Sequence, residues 1–139
     1  MAVTGYVPGV YDMFHIGHLN ILRRAREQCD VLIAGAVTDD VVERTKGRRP
    51  VVPLSERMEI LSSLTVVDHV AADDCGADKL PMWQRLHFDL LFKGDDWRGT
   101  PKGDQLEASM ALVDARVVYF PYTRGTSSTL LRDLITAHG

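Results

Sequence analysis

The sequence predicts an α/β protein with a Rossmann-like, doubly wound parallel sheet of about five strands flanked by helices. Three observations carry that expectation. Short continuous apolar runs recur along the chain, as strands buried on both faces require. Stretches with helical spacing of apolar residues separate them, which is how parallel neighbours are connected. Hydrophobic residues make up 45% of the 139 positions, enough to cover both faces of a sheet. The predicted organisation is a single domain over residues 1–139.

The elements follow in order. Val3 to Val10 reads as the first strand, and Leu19 to Cys29 as a helix with Leu19, Leu22, Ala25 and Cys29 on one apolar face. Val31–Val37 is a continuous apolar run and the second strand. A helix begins near Ser55, which is placed to cap it, with Pro53 just before. Val66–Val70 is a less apolar third strand. Lys79–Leu86 is helical, Phe88–Phe92 a strand, Gln105–Val113 a helix and Arg116–Phe120 the last strand. A final helix runs from Ser127 or Ser128 to Thr136, with hydroxyls at its start. Arg98–Asp104, rich in glycine and charge, is expected to be loop. No internal repeat, long linker or low-complexity segment interrupts the pattern.

Composition narrows the function. The formal charge is −3, so no general basic surface suits nucleic acid, and no nucleic-acid partner is expected. Positive charge is local: Arg44, Lys46, Arg48 and Arg49 are expected in one loop. Cys29 and Cys75 form no metal-like or redox-like pair, which fits a reducing, cytoplasmic setting. Met1–Thr4 has no basic region of the secretory kind. No stretch approaches the ~20 apolar residues of a membrane span.

The chemistry-bearing residues cluster at expected strand ends. His15-Ile16-Gly17-His18 lies between the first strand and the first helix. Histidines three apart at a helix start point the same way. Gly17 has no Cβ, so an anion can approach the backbone there. The helix N–H groups and dipole favour phosphate, which suits the polyphosphate of a nucleotide during transfer chemistry. Two other readings stay open, a pair of helix-cap histidines and a metal pair. Helical zinc histidines usually sit at i, i+4, however, and no third ligand is evident. Gly94-Asp95-Asp96-Trp97 follows a strand; its carboxylates suit a ribose hydroxyl or an exocyclic amine, or a loop cap, and Trp97 suits packing or a base. Gly125–Thr129 offers hydroxyls and N–H groups at a helix start, an anion site on the same sheet edge. Lys46 sits where a basic loop can close over phosphates, or simply in a solvated charge run. Lys79 alone reads as an ordinary surface lysine.

Gly9-Val10-Tyr11-Asp12 followed by His15-Ile16-Gly17-His18 resembles the Gly-Thr-Phe-Asp…His-x-Gly-His signature of the nucleotidyltransferase superfamily. Gly94-Asp95-Asp96-Trp97 resembles the Gly-Asp-Asp-Trp of its cytidylyltransferases, and Thr123–Thr129 is similar to their Arg-Thr-x-Gly-Ile-Ser-Thr-Thr. The three motifs stand in order over nearly the whole chain, with closest likeness to the glycerol-3-phosphate cytidylyltransferase family. That resemblance implies transfer of a cytidylyl group from CTP to glycerol 3-phosphate or a similar small phosphate or phosphonate, giving a CDP-alcohol and pyrophosphate. It implies Mg²⁺ carried mainly by the nucleotide phosphates, no protein metal ligand, and a homodimer. It makes His15, His18 and Lys46 catalytic. It assigns Lys46 and Lys79 to the acceptor, and Gly9, Val10, Tyr11, Asp12, His15, Gly17 and His18 to the nucleotide, with Asp12 fixing the loop. Asp96, Trp97, Tyr122, Thr123, Gly125, Thr126, Ser127, Ser128 and Thr129 complete the implied nucleotide site.

The chain also departs from the pattern. Tyr122 stands where the third motif begins with Arg, and Thr65 where the glycerol-3-phosphate enzymes carry Arg. Arg48, Arg49, Arg57 and Arg124 are the candidate replacement cations. The segment Lys46–Met58 resembles the adenylyltransferase domain of ADP-heptose synthase. An adenylyltransferase acting on a sugar phosphate is therefore the first alternative, and a non-catalytic nucleotide-binding regulator the second.

Overall fold

A computed structural model of the chain describes residues 2–121 and 131–135. Its elements are β1 (Thr4–Gly9), α1 (Ile16–Arg26), β2 (Val31–Val37), α2 (Asp39–Lys46), α3 (Leu54–Ser62), β3 (His69–Asp73), α4 (Leu80–Leu86), β4 (Leu90–Gly94), a 3₁₀ turn (Asp95–Trp97), α5 (Pro101–Ala111) and β5 (Arg116–Phe120). Residues 131–135 are helical. The sheet has five parallel strands in the order β3-β2-β1-β4-β5, the Rossmann-like architecture that the apolar runs predict.

Strand alternation divides the core into two layers. Val7 and Phe92 pack with Leu22 and Ala25 of α1 and Leu61 of α3 on one face. Their neighbours Tyr6 and Leu91 pack with Met82 of α4 and Leu106 and Met110 of α5 on the other. Each such large apolar side chain, fully buried, contributes about 1.5–3 kcal/mol.

The strand order reverses between β1 and β4, and there the sheet opens. β1 pairs with β2 along its whole length, from Thr4↔Val31 to Gly9↔Ala36. It pairs with β4 only at Gly5↔Leu90 and Tyr6↔Leu91. Pro8, which has no N–H to give a ladder, lies beyond that pairing. The splayed carboxyl ends leave the crevice in which ligands of such sheets bind.

Several expected boundaries move. α1 begins at Ile16, not Leu19, because His15 caps it. β3 begins at His69 rather than Val66: the Val67 N–H donates to the Leu64 carbonyl in a turn, and the Asp68 carboxylate is taken by the Leu32 N–H and by Arg26. The expected basic loop is half helix. Thr38 caps α2, Asp39 and Asp40 fill its first turn, Arg44 and Lys46 its last, and Gly47 ends it at φ 79°. Only Arg48 and Arg49 of that basic cluster lie beyond it. The expected loop Arg98–Asp104 ends at Thr100, whose hydroxyl caps the Gly103 N–H at the start of α5, with Pro101 at the first position. α3 is preceded by Pro53 with no side-chain cap, so Ser55 is inside the helix. The start of the last expected helix lies outside the described residues.

Candidate active site

A cavity of about 500 Å³ occupies the crevice, and residues from both faces of the sheet line it. It brings together Gly9, Val10, Tyr11, Asp12, His15, Gly17, His18, Lys46, Lys79, Asp96 and Trp97. Tyr122, Thr123, Arg124, Gly125, Thr126, Ser127, Ser128 and Thr129 lie outside the described residues.

The β1–α1 loop forms the first wall, and it is held hard in place. Tyr11 and Met13 adopt left-handed backbone conformations, at φ 56° and 50°, which side chains other than glycine rarely take. Asp12, 1% exposed, accepts from the Val51 and Val52 N–H groups, each at 2.9 Å, and from Arg132 at 2.7 Å. Burial alone would raise its pKa; the two backbone donors and the Arg132 guanidinium outweigh that and hold the carboxyl below its usual range. Asp12 thus ties the loop to the segment before α3 and to the helical residues 131–135. Tyr11 closes the loop from inside, donating its hydroxyl proton to the Val7 carbonyl at 2.8 Å.

Arg57 is buried behind this wall. Its guanidinium donates to the carbonyls of Val10 (2.7 Å), Val37 (2.8 Å) and Val52 (2.8 Å) and to Asp39 (2.6 Å). It is a brace between the ends of β1 and β2, not a replacement cation facing phosphate. Thr65 is exposed and is not among the cavity-lining residues.

His15 and His18 share the start of α1, with ring centroids 3.9 Å apart. His15 Nδ1 accepts from the Gly17 N–H at 3.0 Å, and His18 Nδ1 accepts from the His15 N–H at 3.2 Å. The histidines therefore are helix caps, and the Gly17 N–H expected for an anion is engaged by His15. A ring that accepts at Nδ1 carries its neutral-state proton on Nε2, so each presents an Nε2–H donor. Burial lowers both pKa values; for His18, burial and then the charge of His15 push it down to about 3. Both rings are neutral donors at physiological pH, whereas phosphate proximity alone would favour the imidazolium.

The opposite wall is lysine-rich. Asp73, at the end of β3, is fully buried and accepts from the Tyr6 hydroxyl at 2.6 Å, from Lys79 Nζ at 3.0 Å and from the Cys75 N–H at 3.0 Å. Lys79 is only 5% exposed, unlike the ordinary surface lysine that its sequence context suggests. Lys93, from the end of β4, also lines the cavity, with its ammonium 3.6 Å from the centroid of the Trp97 ring. Burial and then the charge of Lys79 bring its pKa down to about 8. Trp97 packs against the second core layer, and Asp96 beside it is exposed.

No group of three histidine, cysteine or acidic side chains able to hold a metal occurs among the described residues. Asp12 and Asp73 are committed to protein partners, which leaves Asp96 as the exposed carboxylate of the cavity. Asp96 is the carboxylate that could complete the shell of a cation carried on phosphate oxygens.

Lys93 and Arg132 escape the sequence reading, and Arg57 enters it only as a candidate replacement cation, not as a brace. A lysine closing the apolar run Leu90-Leu91-Phe92 was the available signal for Lys93. The contacts of Arg57 and Arg132 bridge segments far apart in sequence, and no local pattern marks them.

The sequence pattern of the cytidylyltransferase-like family matches residues 6–134. The chain is 32% identical over 120 residues to a FAD synthase of Thermococcus sibiricus, covering 86% of this chain and 79% of that protein. It is 36% identical over 131 residues to an ethanolamine-phosphate cytidylyltransferase of Arabidopsis thaliana, covering 91% of this chain but 31% of that longer protein. A lipopolysaccharide core biosynthesis protein of Thermoplasma volcanium shares the fold, with a TM-score of 0.74 at 21% identity over 91% of this chain and all of that one. No helix among the described residues is long and apolar enough to cross a membrane.

Proposed function

Since the chain belongs to the cytidylyltransferase-like family of nucleotidyltransferases, we propose that it transfers a cytidylyl group from CTP to a small phosphorylated alcohol, glycerol 3-phosphate or a similar phosphate or phosphonate. A phosphate oxygen of the acceptor attacks the α-phosphorus of CTP. The bond from that phosphorus to the oxygen bridging to the β-phosphate breaks, and pyrophosphate leaves with the bond's electrons. The acceptor is already an anion, so no general base is required, and catalysis is positioning and electrostatics.

The observation that supports this most is the division of the cavity. Two neutral imidazole donors stand on the α1 side, and Lys79 and Lys93 stand on the α4–α5 side. His15 and His18 would donate to oxygens of the triphosphate as charge grows there. Lys46, in the last turn of α2 and exposed, would meet the phosphates from the rim. Mg²⁺ would be held by the nucleotide phosphates, with Asp96 the carboxylate nearest to hand; it would neutralise the pyrophosphate charge. A homodimer is part of the same proposal, and sedimentation velocity checks it.

A second reading is an adenylyltransferase. The FAD synthase relative, itself an adenylyltransferase, favours it. The segment that resembles ADP-heptose synthase supports it less, because Val51, Val52 and Arg57 act there as scaffold for the loop at Asp12.

The test is pyrophosphate release with CTP, ATP, GTP and UTP against glycerol 3-phosphate, phosphoethanolamine, phosphocholine, small phosphonates and sugar phosphates. Release with CTP and a phosphorylated alcohol is expected. Release only with ATP assigns the second reading. Nucleotide binding without release from any pair, unchanged by His18→Ala, would leave a regulator.

A further inference from the structure

We propose that Lys93 joins Lys79 in a two-ammonium clamp for the phosphate monoester of the acceptor, and that this clamp takes acceptors whose remainder is neutral or anionic, not cationic. Calling the bound monoester an acceptor rests on the transfer reaction proposed above.

Strand geometry puts the two lysines on one side. Side chains alternate along β4, so Lys93 shares the face of Leu91 and not that of Phe92. Leu91 packs with Tyr6 in the layer beneath α4 and α5. Tyr6 donates to Asp73, and Asp73 holds Lys79. Lys79, Asp73, Tyr6 and Lys93 therefore belong to one face, opposite the histidines of α1.

The charges on that face do not balance. Asp73 is a single carboxylate, engaged by the Tyr6 hydroxyl, the Lys79 ammonium and the Cys75 N–H. Its one negative charge offsets Lys79 and cannot also balance Lys93. Among the described residues Lys93 makes no ion pair; its ammonium rests on the Trp97 indole. Lys79 and Lys46 act on it as like charges, and Asp96 and Asp73 oppose them. A half-buried ammonium, unpaired and repelled by a neighbour, is relieved by an anion placed between the two. A phosphate dianion has the charge and the acceptor oxygens for both.

The same geometry excludes a cationic headgroup. Recognition of an alkylammonium needs an open aromatic face or a free carboxylate. The Trp97 face carries Lys93 at 3.6 Å, with Lys102 5.7 Å from the same ring centroid. Asp73 is enclosed and paired, and Asp96, the exposed carboxylate of the cavity, already offsets the charge of Lys93.

The experiment is calorimetric titration of glycerol 3-phosphate, phosphocholine and CTP into the wild type, Lys93→Met, Lys93→Arg and Lys79→Met. The two monoesters are titrated with and without a CTP analogue that cannot be cleaved between the α- and β-phosphorus. Lys93→Met is expected to weaken glycerol 3-phosphate roughly ten- to hundredfold, the loss of one charged hydrogen bond, with CTP affinity unchanged. Lys93→Arg is expected to restore most of the affinity. The wild type is expected to lose affinity as pH rises through about 8, where Lys93 gives up its proton, and Lys93→Arg to hold its affinity flat to pH about 9.5. A merely structural lysine would show neither the pH step nor its removal by arginine. The clamp is refuted if the wild type binds no glycerol 3-phosphate, if Lys93→Met binds it as tightly as the wild type, or if CTP affinity falls in step. Tighter binding of phosphocholine than of glycerol 3-phosphate overturns the headgroup preference. Binding that follows this pattern without turnover of any nucleotide would sink the transfer reaction and leave the clamp standing.

Discussion

Replacing Arg57 by Met separates two accounts of the same cation. Sequence comparison makes Arg57 a candidate to supply the phosphate site with charge that Thr65 and Tyr122 lack. The structure gives it a different task. Its side chain is buried, and its donors serve three backbone carbonyls and Asp39, all at 2.6–2.8 Å. Methionine fills similar space and offers no donor. Removing one partner of a buried ion pair costs about 3–5 kcal/mol. The side chain of Asp39 keeps 22% exposure, so water takes over part of that loss and the lower end applies. Each buried carbonyl left without a donor adds about 1–3 kcal/mol, though neighbouring losses do not sum fully. A combined cost of about 5 kcal/mol is a large part of the ~5–15 kcal/mol that holds a domain folded. For a chain of this length it lowers the melting temperature by about 15 °C.

The assay is thermal unfolding followed by near-ultraviolet circular dichroism, paired with CTP titration well below the melt. Arg57→Lys keeps the charge but not the planar fork, so its melt is expected between those of the wild type and Arg57→Met. An unchanged melting temperature for Arg57→Met, together with weakened CTP binding, would refute the brace and return Arg57 to the phosphate site.

Three further outcomes follow from the same geometry. Stability is expected to fall as pH drops below about 6.5, the ordinary histidine value, and to keep falling toward about 3, because the unfolded chain takes up the proton that folded His18 refuses. The slope is up to about 1.4 kcal/mol per pH unit; denaturant titrations of the wild type and His18→Gln over pH 4–7 should show it reduced in the variant, and equal slopes would remove His18 as the source. Gly103→Ala is expected to destabilise by about 1–3 kcal/mol, against the gain alanine usually brings inside a helix, since its Cβ would lie 2.0 Å from the Trp97 carbonyl oxygen. A melting temperature at or above wild type would show that α5 can move away at no cost. Asp12→Asn keeps the shape but places an NH₂ group against donors, so a loss of about 2 kcal/mol and a raised nucleotide KM are expected; an unaltered melt and KM would show that the β1–α1 loop holds itself.

What the sequence reveals here is what local pattern encodes. β2 is legible because Val31–Val37 is apolar on both faces, and the His15–His18 element because both rings lie within one turn of chain. α5 is legible from Gln105 onward; its first turn is signalled by the capping threonine and proline of Thr100-Pro101, but Gly99 and Gly103 mask that turn. Gly103 is in the helix because only a residue without Cβ lets α5 approach the Trp97 carbonyl, a tertiary demand no local rule reports. The same holds for charge. Lys79, Lys93 and Arg57 look like any other cations in a row of letters. Their roles come from partners 4 to 47 positions away: Trp97 for Lys93, Asp73 for Lys79, the Val10 carbonyl for Arg57.

The division of the cavity also bears on how the proposed reaction would turn over. Cations on every side would hold both the triphosphate and the pyrophosphate product tightly, and uniform binding of that kind lowers KM without raising kcat. On the side proposed for the nucleotide the fold instead supplies imidazoles kept neutral by burial and by their own capping bonds at Nδ1. A neutral Nε2–H donor attracts a phosphate oxygen weakly at first and more strongly as charge gathers on it. On the side proposed for the acceptor a cation would be useful, because the incoming phosphate must be drawn toward another polyanion and held in line with the α-phosphorus. The sheet provides that asymmetry through its two-residue periodicity. Phe92 and Lys93 point to opposite faces, so the face carrying Leu91 and Tyr6 can hold lysines while the face carrying α1 holds histidines. The two meet only where β1 and β4 part, beyond Tyr6 and Leu91.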